Sequence, residues 1–295
     1  EVGDHVILSF YADGTCDNCL KGMPTKCRNY ADYNLSGTRP DGSDHFQENG
    51  HHISDMFDQS SFTTHTVVDQ RNAVKVPKEL DLRRLGPLGC GYVTGSGTVL
   101  NSLQPRPGQT IAVFGTGAVG LAAMMAGKIS GCTEVIAVDI VDSRLELAKE
   151  LGATHAINSK EEDPVEAIKK LTHGYGVDFA VDTTGVEPVM VSAIHALAQG
   201  GTAALIAVTA KNITISSWND LCVDDKKVIG VNMGDAIPGV DIPRLIDFYQ
   251  HGMFPFEKTE KFYKFEDINQ ANADSGSGKT IKPVLIIDED YQPGK

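Results

Sequence analysis

The run Ile111-Ala-Val-Phe-Gly115-Thr-Gly117-Ala-Val-Gly120-Leu-Ala-Ala joins an apolar strand to an apolar helix through G-x-G-x-x-G. A second apolar stretch, Val135-Ile-Ala-Val-Asp139, ends in an acid nineteen residues after Gly120. Strand, glycines, helix, strand and acid together are the context that a dinucleotide-binding fingerprint requires. Gly115 allows the tight turn, Gly117 lets the backbone approach a pyrophosphate, and Gly120 lets the helix pack close to the sheet. The helix beginning near Ala118 offers free N–H groups and a positive dipole end to the phosphates. Asp139 can accept from both ribose hydroxyls, and its charge would repel a 2′-phosphate, which predicts NAD over NADP. A glycine-rich turn in some other α/β domain is the bland alternative.

A second cluster is Asp13-Gly-Thr-Cys16-Asp-Asn-Cys19-Leu-Lys-Gly-Met-Pro-Thr-Lys-Cys27. Two x₂ spacings and one x₇ spacing bring three thiols and a carboxylate around one point, a donor set that suits tetrahedral zinc. Three thiols in a mobile loop beside a solvated Asp13 is the competing reading. The third feature, Gly86-Pro-Leu-Gly-Cys90-Gly-Tyr-Val-Thr94-Gly, is a cysteine in a glycine-rich segment entering a helix. Taken alone, Cys90 reads as a buried structural thiol.

These residues need elements to hold them, and 295 residues suffice for two domains with separate cores. From about residue 90 strands and helices alternate. Strands are expected at 111–114, 135–139, 156–158, 178–182, 202–208 and 228–231, with helices at 118–129, 142–151, 163–172 and 186–198. Gly152, Gly174, Gly176, Gly185, Gly200 and Gly201 punctuate their ends. Successive β–α units of this length give a doubly wound parallel sheet, with strands apolar throughout because both faces are covered. Before this region, residues 6–9 and 61–68 read as strands, and 11–60 hold little periodicity. After it come helices near 241–251 and 266–274, the latter between Lys261-Phe-Tyr-Lys-Phe-Glu and Gly-Ser-Gly-Lys279-Thr-Ile-Lys282-Pro-Val-Leu-Ile-Ile287. The last segment is too short for a domain and is expected to return to the first one.

The net charge of −13 argues against a nucleic-acid or anionic-membrane binder. The longest uncharged apolar run is too short to span a bilayer. No secretion signal is visible, so the expected location is cytoplasmic, and of the six cysteines the crowded set at 16, 19 and 27 is better read as metal ligands than as disulfides.

Gly3-Asp-His-Val, the cysteine loop, Gly89-Cys-Gly-Tyr-Val-Thr-Gly, the 113–120 stretch, Val138-Asp139 and Gly278-Lys-Thr-Ile-Lys282-Pro-Val-Leu occur in one order. In that order the chain resembles the zinc-dependent medium-chain alcohol dehydrogenases over essentially its whole length. The Asn34-Leu-Ser-Gly-Thr-Arg-Pro-Asp-Gly-Ser43 loop is similar to the aryl-alcohol (benzyl alcohol) branch. The resemblance implies a Rossmann NAD-binding domain over 92–235. It also implies a GroES-like, β-rich catalytic domain over 1–91 and 236–295, truncated at its N-terminus.

Carried over by position, Cys90 matches a ligand of the catalytic zinc, and Cys16, Cys19 and Cys27 match three structural-zinc cysteines. Asp13 stands where the family usually has the fourth. Thr94, Val119 and Val208 match residues packing against the nicotinamide. Arg144 would lie near the adenosine ribose, and Lys282 would contact the pyrophosphate.

The implied reaction is oxidation of a primary alcohol, aromatic if the loop is a guide, to an aldehyde with NAD⁺. Zinc lowers the alcohol pKa, and the alkoxide gives a hydride to the nicotinamide. The family also has an N-terminal part with two further catalytic-zinc ligands, so the chain reads as a fragment. His51 and His52 lie in the wrong region to replace them. A polyol or threonine dehydrogenase of the same superfamily is the nearest alternative. A zinc-free quinone reductase is disfavoured by the cysteine loop. The chain as given could instead be an inactive module that binds NAD and zinc. The expected partners are a small-molecule alcohol or aldehyde and, by resemblance, further copies in a dimer or tetramer.

Overall fold

The computed structural model describes residues 1–39 and 41–294. Pro40, within the 34–43 loop, therefore lies outside the described residues. Two compact units divide the chain. The first comprises Glu1–Val93, Asp235–Asp247 and the stretch from Glu257 to the C-terminus; the second comprises Thr94–Gly234 and Phe248–Phe256.

The first unit is built from short pieces. Strand β1 (Val6–Leu8) is followed by helices α1 (Asp17–Leu20) and α2 (Tyr30–Asn34), strands β2 (Phe46–Glu48), β3 (His51–Ile53) and β4 (Ala73–Lys75), and helix α3 (Leu82–Leu85). Strand β1 pairs antiparallel with β4, and β2 with β3. The β2–β3 pair lies inside 11–60, where the sequence shows little periodicity. Its turn, Asn49-Gly50, has positive φ at both residues, the conformation a two-residue hairpin turn favours. Conversely, 61–68 form no strand. The alternation there is real, but these residues find no partner strand. Ile7, Phe10, Val74, Val76, Leu85, Leu88 and Tyr92 are buried in this unit.

Helix α4 (Gly91–Gly97) leads into the second unit. There, strands β5 (Thr110–Phe114), β6 (Glu134–Asp139), β7 (His155–Asn158), β8 (Val177–Asp182), β9 (Leu197–Leu205) and β10 (Lys227–Gly230) alternate with α5 (Ala118–Ile129), α6 (Asp142–Glu150), α7 (Pro164–Leu171) and α8 (Glu187–His195). All six strands run parallel in the order β10-β9-β8-β5-β6-β7. Ile111 to Phe114 and Val135 to Asp139 are buried without interruption, as a sheet covered on both faces requires. Strand β9 departs from expectation. It starts at Leu197, carries Gly200 and Gly201 inside it, and ends at Leu205. The register against β8 shifts between Val177 and Phe179, so the glycines mark an irregularity within the strand and not its beginning.

Helix α9 (Pro238–Gln250), strand β11 (Glu260–Lys264), helix α10 (Ile268–Gly276) and strand β12 (Lys282–Ile286) complete the chain. Strands β11 and β12 are parallel, with Glu260 opposite Lys282. The Glu260 side chain is fully buried with Arg84 Nη1 at 3.5 Å. Neither carboxylate oxygen has a hydrogen-bond partner. Burial pushes its pKa up to about 8, against the pull of Arg84 and Lys282, while the neighbouring charge of Glu257 adds to the rise.

The folded state thus holds a proton that the unfolded chain releases near the ordinary carboxylate value. The stability this supplies is complete in mild acid and is lost as pH climbs towards 8. Wild type and Glu260→Gln should therefore melt alike at about pH 5 and diverge by about pH 9, with the wild type lower. Parallel pH dependence of the two melting temperatures would contradict this placement of the proton.

Candidate functional site

In the second unit, strand order reverses between β5 and β8, so the crevice at their carboxyl ends is the place where open α/β sheets bind ligands. The glycine turn leaves β5 at that point. Gly115 has φ +90°, and a Cβ there would lie 2.5 Å from Thr183 Oγ1. A Cβ on Gly120 would lie 1.8 Å from the carbonyl oxygen of Gly115, so helix α5 passes the turn at a distance only glycine permits. Gly117 differs: a Cβ there would meet nothing within 4 Å. It is the N-cap of α5, with no side chain capping the helix. Open space faces the uncapped N–H groups of the first turn, a cradle that suits a pyrophosphate.

Asp139 ends β6 and is 8% exposed. Its Oδ2 accepts from the Thr116 N–H at 2.7 Å and hydroxyl at 2.8 Å, and Oδ1 accepts from the Ile140 and Val141 N–H groups at 2.7 and 3.1 Å. The carboxylate thus ties the glycine turn to the end of β6. A ribose contact would have to replace some of these bonds. Arg144, in α6, has a buried Nε with no hydrogen-bond partner, which fits a donor waiting for an acceptor. Val119 stands in the first turn of α5, and its carbonyl is so close to α4 that a Cβ on Gly95 would lie 1.9 Å from it. Thr94, in α4, donates from its hydroxyl to Met233 Sδ at 3.6 Å. Val208 is fully exposed beyond the end of β9 and packs against neither Thr94 nor Val119 in this structure.

Sequence reasoning missed Asp182, Thr183 and Thr184, which close the other side of the crevice. Thr183 Oγ1 donates to the carbonyls of Phe114 and Gly115 at 3.1 and 3.0 Å. Buried Asp182 accepts from Thr184 Oγ1 and Gly185 N–H at 2.7 and 3.0 Å. The available signal was an Asp-Thr-Thr-Gly sequence at the end of the strand beyond the switch point.

The first unit brings the second constellation together. One ligand atom from each of Asp13, Cys16, Cys19 and Cys27 lies within 4.8 Å of all the others, and no other such group occurs among the described residues. Cys16 and Cys19 Sγ are 3.4 Å apart, and Cys27 Sγ is 3.3 Å from Asp13 Oδ2. No cysteine is in a disulfide. Backbone N–H groups of Cys16 and Thr15 hold the Asp13 carboxyl far below its usual range. Burial, and then the Cys16 thiol, pushes Cys19 up to about 12; burial also raises Cys27, and backbone N–H groups lower Cys16. Crowded thiols resist ionising together. A dication at their centre would reverse that, so three sulfurs and one oxygen fit zinc.

Cys90 is exposed at the surface of the first unit, which corrects the reading of a buried structural thiol. Surrounding protein still desolvates its sulfur and raises the thiol pKa, against the charge of Lys282 on β12. Gly89 before it abuts β1, where a Cβ would lie 2.0 Å from the Leu8 carbonyl oxygen. Among the described residues Cys90 joins no group of three or more His, Cys, Asp or Glu able to share an ion. His51 and His52 are exposed on β3, and His52 pairs with Asp44 at 2.5 Å.

The chain is similar to known proteins over nearly its whole length. Residues 118–251 match the family model described as zinc-binding dehydrogenase. A geraniol dehydrogenase of Castellaniella defragrans is 41% identical over 97% of this chain and 77% of its own length. The crystal structure of an alcohol dehydrogenase zinc-binding domain protein from Burkholderia ambifaria superposes with a TM-score of 0.93 at 45% identity, covering 98% of this chain and 79% of that one. Benzyl alcohol dehydrogenase from Acinetobacter calcoaceticus gives a TM-score of 0.92 at 42% identity, covering 98% and 78%.

The three glycines should separate under substitution. Gly120→Ala forces a backbone clash and should cost at least about 2 kcal/mol of stability. Gly117→Ala has an allowed φ and open space, so it should leave the melting temperature unchanged while weakening NADH binding roughly tenfold or more. Equal effects of the two on both readouts would contradict these roles.

Proposed function

Since the chain belongs to the zinc-binding dehydrogenases, within the alcohol dehydrogenases, we propose that it oxidises a primary alcohol to the aldehyde and back, with NAD as hydride carrier and zinc as its metal. The observation that carries the coenzyme reading is the open cradle at Gly117, facing the uncapped first turn of α5, with Asp139 at the end of the next strand. Geraniol and benzyl alcohol, named for two relatives, share a primary carbinol next to an unsaturated carbon. An allylic or benzylic primary alcohol is accordingly the proposed substrate class.

Within this reading the 92–235 region is the NAD-binding domain, and 1–91 with 236–295 the catalytic one. Thr94, Val119 and Val208 are the proposed nicotinamide contacts, and Arg144 serves the adenosine ribose, supported by its unpartnered Nε. Cys16, Cys19, Cys27 and Asp13 would hold one structural zinc. For Cys90 as a catalytic-zinc ligand and Lys282 as a pyrophosphate contact, support comes from the resemblance. Cys90 alone does not complete a catalytic zinc site among the described residues. This favours a second reading for the 295 residues assayed alone: a module that binds NAD and zinc without turnover.

Coenzyme titration should show tighter binding of NAD(H) than NADP(H), because Asp139 repels a 2′-phosphate. Asp139→Ala should narrow the gap, and equal or better binding of NADP(H) would refute the assignment.

Benzyl alcohol, geraniol, sorbitol and threonine should be assayed with NAD, using the 295-residue chain beside any longer product of the same reading frame. The primary alcohols should be preferred, and Cys90→Ser should abolish their turnover. Preference for sorbitol or threonine would overturn the substrate class. Coenzyme and zinc binding without turnover by the 295-residue chain would favour the second reading.

A further inference from the structure

Asp13 is the unusual member of the thiol cluster, and its surroundings explain how a carboxylate can serve there. Hydrogen bonds to three of its oxygens fix it. Its Oδ1 is consumed by the N–H groups of Thr15 and Cys16 at 2.7 and 2.8 Å. Only Oδ2 then faces the thiols, and it accepts from Asn29 Nδ2 at 3.1 Å. Its main-chain carbonyl accepts from Arg71 Nη1. Arg71 is itself held in place. It donates to both Asp69 oxygens, at 2.9 and 3.0 Å, and to the Tyr11 hydroxyl at 2.7 Å. Its guanidinium carbon lies 5.0 Å from the centre of the Tyr11 ring. Gly14 adopts φ +70° beside it, where a Cβ would come within 3.2 Å of Arg71 Nη1.

We propose that Arg71 and Asn29 are positioning residues that make Asp13 the single-oxygen fourth ligand of this metal site, giving a three-sulfur, one-oxygen set that takes a borderline divalent cation. The inference rests on reading the cluster as a zinc site. Metal–oxygen bonds are shorter than metal–sulfur bonds, about 2.0–2.2 Å against about 2.3 Å for zinc. A carboxylate in a thiolate's place must therefore be brought inward and stopped from binding through both oxygens. The N–H pair on Oδ1 enforces one-oxygen ligation. Arg71 sets the position of the main chain at residue 13. Asn29 occupies one lone pair of Oδ2 and leaves the other directed at the cluster. An oxygen corner also lowers affinity for soft cations more than for zinc or cobalt.

Zinc affinity of the purified chain, measured by competition with a chromophoric chelator, tests this. Arg71→Ala and Asn29→Ala should each weaken zinc by about 10- to 100-fold, the usual effect of losing an outer-shell partner. The two should part company in an Asp13→Cys background. There the Asn29→Ala penalty should vanish, because its acceptor is gone, while the Arg71→Ala penalty persists, because it grips the main chain. Asp13→Cys alone should raise the affinity for cadmium relative to zinc.

Asn29 is exposed, so its variant is not expected to disturb the fold, and melting of the metal-free proteins checks both. If wild type binds one zinc but neither variant weakens it, the positioning roles are wrong and the metal site stands. An unchanged cadmium-to-zinc ratio in Asp13→Cys would show that Asp13 is not a ligand. If neither wild type nor Asp13→Cys binds zinc, the metal reading falls and this inference with it.

Discussion

The closest constraint in the second unit is the passage of helix α5 over the turn that leaves β5. With any side chain at position 120, the helix would have to back away from the Gly115 carbonyl. That would withdraw its N-terminal N–H groups from the crevice at the switch point of the sheet. The apolar strands, the burial of both faces and the right of the chain to turn sharply at Gly115 all serve to bring one helix end to one place. A diphosphate would suit that placement, because the free N–H groups and the dipole act only within the first turn.

Carboxylates do the complementary work. The chain carries 39 acids against 26 bases, yet several of the acids are not solvated. Asp139 fixes the glycine turn, Asp182 fixes the turn after β8, and Asp13 fixes its own loop, each through backbone N–H donors. A carboxylate with two or three such donors orders the loop around it. Asp139 and Asp13 thus hold the local geometry, and they are the same side chains proposed to meet a ribose and a cation.

The sheet was legible because its signals are local. The apolar run at 111–114, the glycines and the helix at 118–129 could be placed from order and spacing alone, and α5 spans those residues. The first unit was harder. Its strands are three residues long, so no period develops, and pairing decides which alternating stretch becomes a strand. The stretch at 61–68 alternates without a partner, whereas 46–53 lacks a pattern but has an Asn-Gly turn. Spacing suggested the metal cluster, but not what orients it. Arg71 lies 58 residues from Asp13 and acts on its main chain, and no sequence pattern encodes such a contact. The role of Asp182, Thr183 and Thr184 depends on strand order, which only the fold discloses.

The central claim is that coenzyme binds on the turn from Gly115 to Gly120 and on the first turn of α5. Hydrogen–deuterium exchange with and without NADH addresses it directly, because it reports the backbone N–H groups themselves. The account predicts that saturating NADH slows exchange across residues 116–121 and 139–144. NADH bound at saturation with no added protection at 116–121 would contradict it.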